Sequence, residues 1–403
     1  MNSTENSLAV GIVSDYRNHW VAGPIYTINL HRVLQTVKSE TGVLPNTLHS
    51  GLRRFPTRLA SDECGHIQYF SHIESQKEPK IKRLTKRLIS QFRNPGAQAL
   101  ESIIERERIN ILYPGMGIET NIGCKQVHWI PDFQHLRFPH FFPGEFGVDR
   151  TRYIDGLLER AETIFLSSHN ALDDAREFRP QYLHKLHVLP FVLVPEDKWF
   201  KDTPEAEIHP ITEGREYLIF PSQLWLHKGH EILVRALAIL KEDYQLDILT
   251  LCPGFQEDYR FPHHFSDINY LARELGVSEN IRFLGLLDRQ LLMQLMRGAR
   301  AVVQPSRFEG WSALIEDAQG IGKPIIASDI PVHREQDPPD TVFFEDGDAE
   351  SLAETIANQW SNLPLGFDLE SEEIGRTRQH QRVHEFGHYF ANLLREVDRK
   401  PAN

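Results

Sequence analysis

An α/β protein made of two Rossmann-like domains in tandem is what the amino-acid sequence predicts, on three observations. Short runs rich in Val and Ile alternate with amphipathic stretches along the chain, as the strands and helices of parallel sheets do. The rhythm halts once, in a Pro-marked stretch, and then restarts. At 403 residues, 25% charged and 40% hydrophobic, the chain has the size of two ordinary domains and the composition of a globular protein.

Taken in order, LAVGIVS around Val10, INILYPG around Ile111, KQVHWIP around Val127, ETIFLSS around Ile164 and LHVLPF around Val188 read as strands of a first domain, residues 1–190. Pro190, Pro195, Pro204 and Pro210 punctuate a charged stretch, 191–215, that reads as an interdomain linker. The second domain, 216–375, follows with EYLIFPS, LDILTLCPG, NIRFLG, ARAVVQPS, KPIIASD and TVFFED. Helical segments separate them; in HEILVRALAIL, residues Ile232, Leu233, Ala236, Leu237 and Leu240 form one apolar face. The remainder, 376–403, has helical periodicity through Val383, Phe386, Phe390 and Leu393. The pattern leaves two placements open for it, a helix crossing back to the first domain or one closing the second.

Net charge is −12, unevenly spread: 23 basic and 20 acidic residues lie at or before Pro190, against 21 and 36 after it. So acidic a whole argues against nucleic acid as partner. The N-terminal stretch lacks the basic and apolar regions of a secretory signal, and no apolar run approaches bilayer length, so a cytoplasmic location is expected. Cys64, Cys124 and Cys252 have neither disulfide-framework nor metal-site spacing. Lys77 to Asn94 carries seven basic residues and one Glu, with Ile81, Leu84, Leu88, Ile89 and Phe92 at helical spacing. It reads either as a peripheral contact with an anionic membrane or as a packed helix with a solvated basic face.

The chemistry concentrates between Pro305 and Gln336. Glu309 and Asp317 flank a loop in which Gly310 permits a tight turn and Ser312 caps a helix. Backbone N–H groups at such a helix start attract phosphate, and Asp317 can lean back toward the same mouth as Glu309. A nucleotide sugar suits a pocket of this kind, since diphosphate seeks N–H donors and a cation while hydroxyls seek carboxylates. The competing reading is that two acids near a helix start merely complement its dipole. The pairs His227/His230 and His263/His264 lack further ligands at suitable spacing, so no metal is expected there.

With that block, FLG at Phe283 to Gly285, FPSQLWLHKGH at Phe220 to His230, WIPDFQH at Trp129 to His135 and LHVLPF near Leu186, the chain resembles the retaining family-4 glycosyltransferases (glycosyl transferases group 1) of the GT-B fold. The resemblance covers nearly the whole chain and implies two facing Rossmann-like domains with a cleft between them. By position it implies that Lys228 neutralises the leaving diphosphate and Glu309 contacts the donor sugar. Asp317, which replaces the usual Glu, or adjacent Glu316 would hold the ribose. The backbone of Gly310, Trp311, Ser312, Ala313 and Leu314 would line sugar and diphosphate, joined by Gly23 from the first loop and by Gln223, which stands where an Arg is common. Asp132 and His135 would orient sugar or acceptor, unless they only pack. No cofactor and no essential metal are implied, only a nucleotide-diphosphate sugar as donor and a glycan or lipid-linked acceptor, in polysaccharide or glycoconjugate biosynthesis. Two other readings stay open: a noncatalytic nucleotide-sugar-binding protein and a GT-B nucleotide-sugar epimerase.

Overall fold

A computed structural model describes residues 7–15, 22–50, 67–70, 95–115, 122–201 and 205–401. The segment Lys77 to Asn94 lies outside them. All strand pairings among the described residues are parallel.

In the first half, β1 (Leu8–Asp15), β2 (Val43–Ser50), β3 (Ile67–Phe70), β4 (Ile111–Tyr113) and β5 (Lys125–Gln126) form a sheet in the order β3-β2-β1-β4-β5. A second sheet joins β6 (His128–Ile130), β7 (Ile164–Leu166) and β8 (Leu186–Val188). The two are continuous through Val127, whose N–H reaches Leu112 O at 3.0 Å before His128 N–H bonds Thr163 O at 3.1 Å. Strands β4 and β7 are wholly buried, as runs covered on both faces must be.

The second half holds β9 (Tyr217–Ile219), β10 (Leu249–Pro253), β11 (Ile281–Gly285), β12 (Val302–Gln304), β13 (Ile325–Ser328) and β14 (Thr341–Phe344). Their order, β11-β10-β9-β12-β13-β14, reverses direction between β9 and β12, and the crevice outside the carboxyl ends of those two strands is where doubly wound sheets bind ligands.

The stretch between the sheets is fastened from several sides. Trp311 Nε1 donates to Phe191 O at 2.8 Å, Asn29 holds Val192 O and the Val194 N–H, and Gln379 donates to Leu193 O at 2.8 Å. Trp199 is buried in the second core. The 31-residue helix Leu369–Arg399 then touches both halves. Its first turns lie so close to the second half that a Cβ on Gly375 would come within 2.4 Å of the Gly322 nitrogen. Later, Val383, Phe386, Phe390, Ala391, Leu394 and Val397 join Leu8, Val10, Tyr26, Leu30 and Leu34 in the first core. Its apolar stripe serves the core of the opposite domain, which is why the stripe exists far from its own sheet.

Candidate active site

The crevice is built by two loops, one after β9 and one after β12. After β9 the chain runs through Gln223 to a single 3-10 turn, Leu226–Lys228, and then Gly229 at φ 82° starts the helix His230–Glu242. A Cβ on Gly229 would strike Pro305 O at 2.1 Å, so only glycine lets this loop settle against the end of β12. The Arg307 N–H donates to His227 O at 2.9 Å and completes the join. Likewise, a Cβ on Gly254 would meet Ser222 O at 1.8 Å, which presses the end of β10 against the backbone preceding Gln223.

This contact brings Lys228 to Glu309. Lys228 Nζ donates to both carboxylate oxygens, at 2.7 and 2.9 Å, with both side chains largely shielded from water. In so shielded a place the attraction between the two groups offsets part of the cost of removing them from water. Gln304, at the end of the buried strand β12, donates from Nε2 to Glu309 Oε1 at 2.8 Å and to the Ser306 and Ser312 hydroxyls at 3.2 Å. Ser312 Oγ accepts the Ile315 N–H at 3.3 Å and caps the helix Ala313–Gly320. The Ser312 N–H is already donated to Gln336 Oε1 at 3.0 Å, which removes it from the donors open to a phosphate. Leu314 turns its side chain into the second core, so only its backbone faces the helix start. His227 and His230 are fully buried, and burial holds both imidazoles well below their usual pKa; they sit beside Lys228 uncharged.

The two acids named with Glu309 go elsewhere. Asp317 is gripped by Arg289 through both terminal nitrogens, Nη1 to Oδ2 at 2.8 Å, and Arg289 lies over the Trp199 ring at 4.7 Å. Burial raises the Asp317 pKa and Arg289 opposes the rise. Glu316 is completely buried and accepts from Arg382 at 3.0 and 3.1 Å and from Gln336 at 3.2 Å, tying this helix to Leu369–Arg399. Glu309 and Asp317 thus belong to separate ion pairs.

From the first half, the WIPDFQH segment meets this loop: a Cβ on Gly310 would approach Pro131 O to 2.6 Å. Asp132 Oδ1 accepts the Gln134 N–H and Arg150 Nη2, each at 2.8 Å, and so shapes the short helix Gln134–Arg137. His135 is buried, neither ring nitrogen has a hydrogen-bond partner among the described residues, and burial, seconded by Arg150, lowers its pKa to about 4. Aromatic contacts extend the meeting, Phe138 to Phe308 at 5.7 Å and Phe141 to His227 at 6.0 Å between ring centres. Gly23 stands in the first turn of the helix Ala22–Thr41, where neighbouring Pro24 is tolerated because its missing N–H has no partner to lose.

A family profile described as Glycosyl transferases group 1 matches residues 202–365. The second half is a glycosyl transferases group 1 domain. A D-inositol 3-phosphate glycosyltransferase of Jonesia denitrificans is 24% identical over 215 residues, 51% of this chain and 50% of that protein. The chain thus spans about half the length of this curated relative. Among solved structures, a glycosyltransferase from Rickettsia africae aligns with 98% of this chain and 100% of its own at a TM-score of 0.64 and 18% identity. Anabaena Alr3699/HepE in complex with UDP and glucose aligns with 96% and 100% at a TM-score of 0.67 and 14% identity. At such identities the likeness establishes the fold, which is GT-B.

In this group 1 domain, three polar residues of the site were not singled out from sequence: Gln304, Gln336 and Arg289. Gln304 had a signal, an amide ending a strand that is otherwise Val and Ala. Gln336 and Arg289 had none, since each meets its partner through tertiary folding, 24 and 28 residues away in the chain.

Proposed function

We propose that the protein is a retaining, metal-independent glycosyltransferase that moves a sugar from a nucleotide-diphosphate sugar to a glycan or lipid-linked acceptor. The observation that carries this reading is the Lys228–Glu309 pair at the strand-order reversal of the group 1 domain. The Anabaena structure with UDP and glucose supports a nucleotide-sugar donor.

In the reaction, the bond from the anomeric carbon to the diphosphate oxygen breaks and a bond to the acceptor oxygen forms on the same face of the sugar. The acceptor proton passes to the departing phosphate oxygen. Lys228, released from Glu309 by the incoming diphosphate, stabilises the negative charge that grows there, together with the helix start at Ala313. Glu309, still held by Gln304, accepts from donor-sugar hydroxyls and positions the ring. Gln223 contributes an amide where a second cation would otherwise stand, and Gly23 backs the diphosphate from the first half. Asp317 would reach the ribose hydroxyls as a unit with Arg289, while Asp132 and His135 face the sugar or acceptor. The reading places the work in polysaccharide or glycoconjugate biosynthesis at the cytoplasmic side of a membrane. Among the described residues, no helix is long and apolar enough to cross one.

The test is a screen of UDP-, GDP-, ADP- and dTDP-sugars by thermal shift and by nucleotide release, with and without EDTA. One nucleotide family should stabilise the protein and be released slowly, independently of EDTA. Binding with no turnover in the presence of any acceptor tried would favour a noncatalytic nucleotide-sugar-binding protein.

A further inference from the structure

Away from the cleft, the first and last long helices carry a convergence of ligand atoms that the transfer reaction does not use. His384 and His388 stand four residues apart on Leu369–Arg399, on one face, with ring centres 4.6 Å apart. Both aim Nε2 at the same oxygen of Glu40, in the last turn of Ala22–Thr41: each nitrogen lies 3.0 Å from Oε2. One ligand atom from each of the three lies within 4.8 Å of the others. Ligand atoms about 2.0–2.1 Å from a tetrahedral divalent ion lie roughly 3.4 Å apart, so small rotations suffice to receive one.

The convergence is built by packing. Gly387 lies between the two histidines, and a Cβ there would come within 2.8 Å of the Val37 side chain and 3.3 Å of Val33. Glycine lets the helices approach closely, and Glu40, one turn after Val37, then falls opposite both imidazoles. Arg395, donating to Thr41 O, fastens the next turn. The three side chains are all substantially exposed, so an ion can enter and retain a water ligand. The run HEFGH, His384 to His388, is also the helical two-histidine spacing that suits zinc. Glu385, which such a spacing could enlist as a base, instead accepts from Gln381 at 2.8 Å on the exposed face.

We propose that His384, His388 and Glu40 form a binding site for a divalent transition ion of the Zn2+ class, which staples the crossing helix to the first domain. Imidazole nitrogens and one carboxylate make a donor set suited to Zn2+, Co2+ or Ni2+ and poorly suited to Mg2+. The role is structural and separate from the transfer chemistry.

The test titrates the metal-free full chain, without a histidine tag, with Zn2+ by calorimetry, and with Co2+ by visible absorption. One equivalent of Zn2+ should bind and raise Tm. Affinity should fall at least about tenfold in Glu40→Gln and further in His384→Ala with His388→Ala. The metal-free Tm of these variants should stay near that of the parent, because Val33, Val37 and Gly387 make the helix contact. Equal Zn2+ affinity in the parent and the double-histidine variant, or binding that leaves Tm unmoved, would overturn the proposal. Nucleotide release that resists EDTA while Tm drops would separate this site from the cleft.

Discussion

The two halves reverse strand order in the same way, between β1 and β4 in the first sheet and between β9 and β12 in the other, yet furnish the reversal with different chemistry. In the group 1 domain the reversal carries a shielded Lys228–Glu309 ion pair, brought together by glycines at van der Waals limits. In the first half, hydroxyls and rings pack near the reversal: the Tyr26 and Tyr113 hydroxyls bond at 2.5 Å, Tyr26 stacks on Trp129 at 4.1 Å, and Ser14 meets Thr27. Burial raises the pKa of both tyrosines, so neither supplies a charge. At the reversal of the second half, the Lys228–Glu309 pair supplies a cation and a carboxylate side by side.

The comparison breaks most visibly at Glu309. Glu309→Gln keeps the size and removes the charge, and should lower the transfer rate by roughly two to three orders of magnitude with donor binding less affected, as read from kcat and KM. Next comes Gly229→Ala. Its Cβ has no room against Pro305 O and its backbone is left-handed, so the Lys228 loop must shift. Both Tm and kcat should fall, with a stability loss of at least about 1–2 kcal/mol by denaturant titration.

Acid should affect both halves alike. His128 and His135 in the first, held near pKa 4 by burial, and His227 in the second are neutral when folded, whereas an unfolded histidine takes a proton near 6.5. The unfolded chain then binds more protons, so stability is full above about pH 6.5 and declines as pH falls toward 4. A Tm profile flat across that window would contradict the burial described. The smallest effect belongs to Tyr113→Phe, which removes one neutral hydrogen bond and should cost about 0.5–1.5 kcal/mol with the transfer rate kept.

Much of this was legible in the sequence because local rules suffice for it. Alternating apolar runs yield parallel strands, and the Ser312 cap needs only the residues beside it. The Lys228 and Glu309 loops could be named from motif spacing, but their ion pair rests on Gly229 fitting under Pro305, a fact of three-dimensional packing. For the same reason the expected reach of Asp317 toward Glu309 is replaced by Arg289, and Glu316 is drawn to Arg382, 66 residues on. The Glu40, His384 and His388 cluster was not legible at all, because Glu40 lies 344 residues before His384 and only helix packing delivers it.

The central claim is that Lys228 stabilises the leaving diphosphate, and single-turnover nucleotide release from the matched donor tests it most directly, comparing the parent chain with Lys228→Ala and Lys228→Arg in EDTA. The account predicts a loss of about 100- to 1,000-fold in Lys228→Ala, partial recovery in Lys228→Arg, and no dependence on metal. Release at the parental rate from Lys228→Ala, with the donor still bound, would contradict it.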